Sequence, residues 1–445
     1  MNYRDLAENV ARFAGALRKR GVSKGQVVAI SLQPELEAVL ILACAQLGAV
    51  SLSASKLLLD SYSSDIDALV SDDQTTLFRG KNRILINQEF MQELGLVAKI
   101  TEPKELDPDD LVRLSFSSGT TGVPKGIPFT AARIPLRTAS AHRNWMQESP
   151  GMSLLGLDTI TGIIALLWSV TSGNTFFVSK TPAENLELIK RYGIKALETS
   201  PARLKDLIAE AKMNEQTELK QILVAGSLMT PSLAKSCETA FGIKPSYLYG
   251  SSEVGSATIG FFDPENNNRL GLLVSDVELE IVDDELKPTA AGEVGNIRYR
   301  KPGMPTEYWK STSSHLNGFV DGWFYPGDRG NLSADRYLFL EGRNDDVVNA
   351  AGNKFNLLTL DQWLGSSGLF DEVASFTFNE SGELKVGIAF ASKNPPEPSI
   401  LVERVQQFLP NLRITEFIRI GSLPRNKMDK VDRKALSELI EGKHA

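Results

Sequence analysis

Two cysteines and three histidines are all that 445 residues contain of either type. Cys44 and Cys237 are too few and too widely separated to staple a scaffold by disulfides, and such sparing use suits a reducing compartment. A serine hydrolase would have to draw its base from His142, His315 or His444, and "GSSEVG" does not match the GxSxG elbow such enzymes use. Basic runs are also missing. With 48 Lys+Arg against 55 Asp+Glu the formal net charge is -7, so the chain has no electrostatic grip for nucleic acid or anionic lipid, and its substrates are expected to be small molecules. The longest apolar stretch, "AVLILACAQLGAV", is too short to span a bilayer. The opening "MNYRDLAENVARF" is charged and amphipathic where a secretory leader would be apolar. A cytoplasmic protein without a membrane anchor is expected. Its length allows two or three domains around a large buried core.

Against these absences, residues 114–126, "LSFSSGTTGVPKG", crowd hydroxyls and glycines in front of a lysine. Backbone N–H groups freed by glycine, together with hydroxyls and an ammonium, can surround a phosphate. A Walker loop would need GxxxxGK followed by Ser or Thr and a helix, whereas here Pro124 precedes Lys125 and Gly126 follows it. Val112, Leu114 and Phe116 alternate before the loop and "GIPFT" follows it, which predicts strand, loop, strand. A flexible Ser/Gly surface linker is the competing assignment.

The rest of the chain alternates helix and strand. Leu6, Val10, Phe13 and Leu17 share one helical face, "QVVAISL" follows as a strand, and a second apolar helix ends near Gly48. Beyond the loop come "NTFFVS" (strand), "AENLELIKRYG" (helix), "KALETS" (strand), "ARLKDLIAEAK" (helix), "ILVAGS" (strand) and "PSLAKSCETAFG" (helix). Pro231 opens the last of these and Gly242 closes it, as capping geometry prefers. This pattern predicts an α/β fold with doubly wound, largely parallel sheets. From about residue 277 short strands and turns predict a small β-rich subdomain. After "LEGRNDD" a hairpin, an apolar helix around Leu401–Leu409 and a final helix predict a compact α+β domain, so the chain is expected to divide into 1–342 and 343–445.

Five segments in order, the loop at 114–126, "YLYGSSE" (247–253), "GWFYPGD" (322–328), "GRNDDVVNAAGNK" (342–354) and "LPRNKMDKVDRKAL" (423–436), together resemble the adenylate-forming superfamily. That superfamily includes acyl- and aryl-CoA synthetases, adenylation domains of nonribosomal peptide synthetases, and luciferase. The resemblance covers nearly the whole chain. It implies a large N-terminal domain, a small hinged C-terminal domain, and attack of a carboxylate on the α-phosphate of ATP to give an acyl-adenylate and pyrophosphate. Transfer to a thiol, of CoA or of phosphopantetheine on a carrier protein, commonly follows.

The resemblance also implies roles for individual residues. Ser117, Ser118, Gly119, Thr120, Thr121, Gly122 and Lys125 would hold the β- and γ-phosphates of ATP, and Glu253 would bind Mg²⁺ as a hard oxygen ligand. Gly226, Ser227, Tyr249, Gly250 and Ser252 would line the nucleotide, with Tyr249 offering a flat face to adenine and Gly250 also bordering the substrate. Asp328 would accept hydrogen bonds from the ribose hydroxyls, with Arg343 beside the nucleotide and Asp345 at the hinge. Lys430 would be the catalytic lysine, reaching carboxylate and α-phosphate together, and Lys125 and Glu253 would share the catalytic work. Gly352 would leave room for a pantetheine arm. Bland alternatives stand beside each: a surface glutamate, a core tyrosine, a turn aspartate, a solvated lysine-rich turn.

Some positions depart from the family pattern. Ser252 stands where threonine is common, Pro326 where threonine often precedes Gly327 and Asp328, and Asp429 where a glycine precedes the catalytic lysine. In "LLGLDTITGIIALLWSVTSG" the pair Leu157-Asp158 replaces the aromatic-His pair of CoA synthetases and the aromatic-Asp pair of amino-acid adenylation domains. Asp158 would face a substrate ammonium in an apolar pocket, or would cap the helix that follows. The "GRNDD" pair leans toward a carboxylate–CoA ligase, with amino-acid or aryl-acid activation for a carrier protein as runner-up. A nucleotide-binding homologue without turnover is the third possibility, although no key catalytic residue type is missing.

Overall fold

The structure, a computed structural model, describes residues 1–117, 124–144, 148–266, 268–310, 318–350, 353–380, 383–392, 394–410, 412, 414–425 and 431–444. Two compact units emerge from these: Met1–Lys180 with Ser252–Gly255 and Lys301–Phe319, and Thr181–Ser251 with Ser256–Arg300 and Val320–Ala445.

In the first unit the helix Tyr3–Lys19 starts at Asn2, whose side chain accepts the Asp5 N–H, and it buries Val10, Phe13 and Leu17. Each such side chain contributes roughly 1.5–3 kcal/mol by leaving water. The helix Pro34–Leu47 begins on a proline and ends on Gly48 in the left-handed conformation. Both pack on a sheet in the order Asn82–Leu85, Ala68–Ser71, Val27–Ser31, Val50–Ser53, Leu111–Ser117, Lys125–Thr130. Its first five strands run parallel, and the last pairs antiparallel to Leu111–Ser117. The two strands predicted on either side of the hydroxyl-rich stretch are therefore present, while residues 118–123 lie outside the described residues.

In the second unit the strands Ala196–Thr199, Gln221–Ala225 and Ser246–Ser251 are parallel, and their connecting helices Pro201–Glu210 and Pro231–Phe241 each start on proline behind a Ser or Thr cap. The antiparallel strands Arg269–Leu273, Tyr337–Arg343, Asp328–Leu332, Gly295–Arg300 and Glu278–Val282 form the predicted β-rich part. Residues 343–444 add the hairpin Val347–Ala350/Asn353–Asn356, the helix Leu357–Gly365, and a sheet of Glu372–Glu380, Glu383–Ala391 and Ile414–Arg419. Helices Pro398–Phe408 and Arg433–His444 complete the chain. One core behind that sheet gathers Leu360, Leu364, Ile388 and Leu401; another gathers Phe376, Phe378, Leu436 and Ile440.

One expected element is absent. Residues 174–179, "NTFFVS", form no strand. Asn174 follows the helix cap Gly173 and spends its N–H on the Ser169 carbonyl, while its own carbonyl takes the Tyr3 hydroxyl at 2.6 Å. Phe176 packs against two hydrophobic cores. Cys44 and Cys237 are both buried free thiols, and burial pushes the Cys44 thiol up to about 12. Among the described residues no helix is long and apolar enough to cross a membrane.

Candidate functional site

Glu253, only 6% exposed, is the centre of a cluster in the first unit. Its Oε1 accepts hydrogen bonds from Ser117 Oγ and from the Tyr308 hydroxyl, each at 2.9 Å. The backbone beneath it is pinned by the buried Arg137, whose Nη1 donates to the Glu253 carbonyl at 2.7 Å and whose Nη2 donates to the Ser252 carbonyl at 3.0 Å. Among the described residues this carboxylate has neutral hydroxyl partners and no ion pair. A buried anion left in that condition is a place for a cation.

Ser117 ends one strand and Lys125 begins the next, and the two residues are paired in register. The Lys125 ammonium lies 5.1 Å from the centre of the Tyr308 ring. Aromatic packing fixes this strand end. Gly126 sits so close to Phe116 and Trp309 that a Cβ there would stand 3.2 Å from each, and its carbonyl accepts the Trp309 N–H at 2.7 Å. Tyr62 donates to the Pro124 carbonyl at 2.7 Å and packs on both Phe116 and Trp309. Ser118, Gly119, Thr120, Thr121 and Gly122 lie outside the described residues.

The donor set fits Mg²⁺ of one kind only. Among the described residues no three His, Cys, Asp or Glu side chains gather as a metal cage. One carboxylate fits an ion that keeps several waters and takes its remaining ligands from phosphate oxygens.

A second cluster belongs to the second unit. Tyr249 is buried against Tyr299, with ring centres 6.3 Å apart, and its hydroxyl donates to Asp328 Oδ2 at 2.6 Å. Burial, then the neighbouring Asp328 charge, holds the Tyr249 hydroxyl well above its ordinary range, so it remains a proton donor. Arg343 Nε lies 3.3 Å from Asp328 Oδ1, and its Nη2 donates to the Pro326 carbonyl at 3.2 Å. Gly327 makes this turn at φ +79°, which a side chain would strain, and its carbonyl takes the Asn344 N–H at 2.8 Å. Each Asp328 oxygen thus has a protein partner. Nearby in sequence, Gly226 turns at φ +97°, and the Ser227 Oγ is buried without a hydrogen-bond partner among the described residues. Gly250 is exposed.

Asp158 differs from both expectations placed on it. It is exposed, so no apolar pocket surrounds it, and Thr159 is the cap of the helix Ile160–Ser172, accepting the Gly162 N–H. The residue in front of Asp158 is held from below. The buried Arg113 donates through Nη2 to the Leu157 carbonyl at 2.8 Å and to Ser53 Oγ at 2.6 Å, and Ser53 in turn donates to the buried Glu37. Burial lowers the Arg113 guanidinium to about 10, against the opposing pull of Glu37, Cys44 and Asp158, which still leaves it charged at neutral pH. Asp158 therefore already has a cation in its electrostatic range.

Asp345 falls in the short turn Asn344–Asp346, while Gly352, Asp429 and Lys430 lie outside the described residues. Tyr308, Arg137 and Arg113 were not foreseen. Arg137 sits 116 residues from the carbonyl it pins and Tyr308 sits 55 from the carboxylate it serves, so no local spacing marks either.

The chain is 24% identical to the 4-chlorobenzoate–CoA ligase of Arthrobacter sp, across 100% of this chain and 91% of that protein. It is 26% identical to tyrocidine synthase 3 of Brevibacillus parabrevis over 98% of this chain, yet it spans only 7% of that much longer protein. The fold matches that of o-succinylbenzoate coenzyme A synthetase from Bacillus subtilis, solved in complex with ATP and magnesium ion, with a TM-score of 0.81 at 22% identity, covering 97% of this chain and 93% of that one. The model of the AMP-binding enzyme family matches residues 1–309, and with more than half its length so matched the chain belongs to that family.

Proposed function

We propose that the chain activates a carboxylic acid with ATP, forming an acyl-adenylate with release of pyrophosphate, and then passes the acyl group to the thiol of CoA. The observation that carries this is the buried Glu253 carboxylate, unpaired by any cation among the described residues and bonded to Ser117, the last described residue before the hydroxyl-rich stretch. Mg²⁺ at Glu253 would neutralise phosphate charge and template the leaving pyrophosphate. Ser117 and Lys125 would supply a donor and a positive charge to the phosphates, and Tyr308 would hold the carboxylate in place. Arg137, gripping two successive carbonyls, would keep that geometry from relaxing. In the second unit Asp328 would accept the ribose hydroxyls while Tyr249 and Arg343 fix its two oxygens. Lys430 would bring a positive charge to the carboxylate and α-phosphate during the first half-reaction, and residues 343–445 would turn at Asp345 for the second, with Gly352 leaving space for the thiol arm.

An amine-free acid is favoured, because Asp158 is exposed and has Arg113 in its field, and so lacks the demand for a substrate ammonium. Amino-acid or aryl-acid loading of a carrier protein is the alternative. Pyrophosphate exchange into ATP, measured with Mg²⁺ and a panel of aliphatic, aromatic and amino acids, tests the proposal and identifies the substrate. Exchange with an amine-free acid and thioester formation on free CoA are expected. Exchange with amino acids alone would overturn the substrate class; no exchange with any acid, despite ATP binding, would leave a nucleotide-binding protein without turnover.

A further inference from the structure

Pro124 has no backbone N–H to offer, so just before the strand Lys125–Thr130 its carbonyl is the one main-chain group that a hydrogen bond can hold. That carbonyl is claimed from 62 residues away, by the Tyr62 hydroxyl at 2.7 Å. On the other side of Lys125 the Gly126 carbonyl takes the Trp309 N–H at 2.7 Å, and Gly126 and Trp309 face one another as a β-bridge. The peptide groups on both sides of Lys125 are therefore held, while strand pairing sets the residue itself opposite Ser117.

The sequence around Tyr62 builds this reach. Tyr62 ends the helix Lys56–Tyr62, whose Leu58 and Leu59 are buried in a core with Leu52 and Leu114. It follows them by four and three residues, so it shares their helix face and packs against the same core. Its ring lies 5.4 Å from Phe116 and 5.6 Å from Trp309, centre to centre. Burial, then the Asp65 charge, raises the Tyr62 hydroxyl above its ordinary range, so it stays a proton donor. Trp309 is fastened in its turn. Lys310 behind it adopts φ +53°, a conformation that strains a lysine, and its ammonium pairs with Asp65 and lies 5.2 Å from the centre of the Trp309 ring. The segment Tyr62–Asp65 thus meets the pair Trp309–Lys310 twice, once through rings and once through charge.

We infer that Tyr62 is a positioning residue for Lys125, holding the backbone from which that ammonium reaches the β- and γ-phosphates of ATP. The inference rests on the proposed function, in which Lys125 supplies positive charge to the phosphates. A lysine ammonium is a point charge on a flexible stem, so the protein can aim it best by fixing the peptide at its root. The Tyr62 hydroxyl fixes the peptide immediately ahead of it. AMP lacks the two outer phosphates, so this device acts on ATP and leaves AMP alone.

The test compares Tyr62→Phe, Lys125→Ala and the double variant with the wild type. Affinities for ATP and for AMP are measured by equilibrium dialysis with Mg²⁺ and no acid, and pyrophosphate exchange is measured with the acid identified by the panel. Tyr62→Phe keeps the ring and its packing but loses the bond to Pro124. It is expected to weaken ATP about 2- to 13-fold, the scale of one neutral hydrogen bond, to leave AMP within about twofold, and to slow exchange at low ATP by a similar factor. In the Lys125→Ala background the same change is expected to move ATP affinity by less than about twofold, because two residues that act through one another are not additive. Asp65→Asn, which spares the hydroxyl and its acceptor, is expected to do less than Tyr62→Phe. Equal loss of ATP and AMP, unchanged ATP affinity, or an undiminished effect of Tyr62→Phe in the absence of Lys125 would overturn the assignment. So would an Asp65→Asn effect as large as that of Tyr62→Phe, which would move the role from the hydroxyl to the ion pair. The proposed function fails separately, if no acid supports exchange in the wild type; dialysis of ATP and AMP still decides whether Tyr62 acts through Lys125.

Discussion

Glu253 and Asp328 are both carboxylates set into folded surroundings, and they are prepared for opposite partners. Glu253 takes its hydrogen bonds from two neutral hydroxyls, Ser117 and Tyr308, with no cation paired to it among the described residues. Asp328 is paired with the Arg343 guanidinium and with Tyr249, so its charge is largely cancelled. An uncancelled buried anion attracts a metal ion, whereas a cancelled one is a pure hydrogen-bond acceptor, suited to uncharged hydroxyls. The neighbour decides the chemistry.

Removing the charge at each carboxylate should break this contrast most visibly. Glu253→Gln keeps volume and can still meet both hydroxyls, yet adenylation should fall on the order of 10²-fold or more, as when a principal charge stabiliser is lost. Part of the loss should return as Mg²⁺ is raised. A variant with wild-type Mg²⁺ dependence would move the metal away from Glu253.

Asp328→Asn should act differently in kind. Weakening a charge-assisted acceptor and stranding Arg343 should raise the KM for ATP about 10-fold, with little change in kcat or in Mg²⁺ dependence. Steady-state kinetics at several Mg²⁺ concentrations separate the two carboxylates. If Asp328→Asn shifted the Mg²⁺ requirement, the contrast between a cancelled and an uncancelled anion would collapse.

The hydroxyls on Glu253 carry a smaller stake. Tyr308→Phe leaves the ring beside Lys125 but removes one of two donors, a neutral hydrogen bond worth about 0.5–1.5 kcal/mol. Apparent Mg²⁺ affinity should therefore change only about 2- to 13-fold, measurable in the same titration. A larger loss than Glu253→Gln would mean that the tyrosine, and not the carboxylate, organises this cluster.

Much of this was legible in the sequence. Local signals sufficed where one stretch of chain does the work: Pro231 and Gly242 bound a helix, and Ser117 and Lys125 stand at the ends of two paired strands. Legibility failed where the work is done across the chain. Arg137 lies on an unremarkable helix, "RIPLRTASAHRN", and becomes a support only because folding brings it under Glu253. Residues 174–179 have strand composition, but the end of the preceding helix and Tyr3 claim the Asn174 backbone groups first. Composition reports what a segment could bury and says nothing about which neighbour reaches its hydrogen bonds first.

A third carboxylate provides the control. Asp158 is exposed, one residue ahead of the Thr159 cap, with Arg113 in its electrostatic range behind the Leu157 carbonyl. An acid in water with a cation nearby has neither the deficit of Glu253 nor the fixed acceptor geometry of Asp328. Asp158→Asn should therefore leave activity with an amine-free acid within about twofold, and thermal stability nearly unchanged, as surface substitutions usually do. Thr159→Ala removes the real cap and should lower stability by about 1 kcal/mol. Both are read from denaturant melts alongside pyrophosphate exchange with paired acids, with and without an α-amine. The helix cap would return to Asp158 if Asp158→Asn and Thr159→Ala destabilised equally. Selective loss of the amine-bearing acid in Asp158→Asn would give this carboxylate a cationic partner after all, and would move the substrate to the amino acids. Equal activity ratios would leave Glu253, alone among the three, as the anion that awaits a cation.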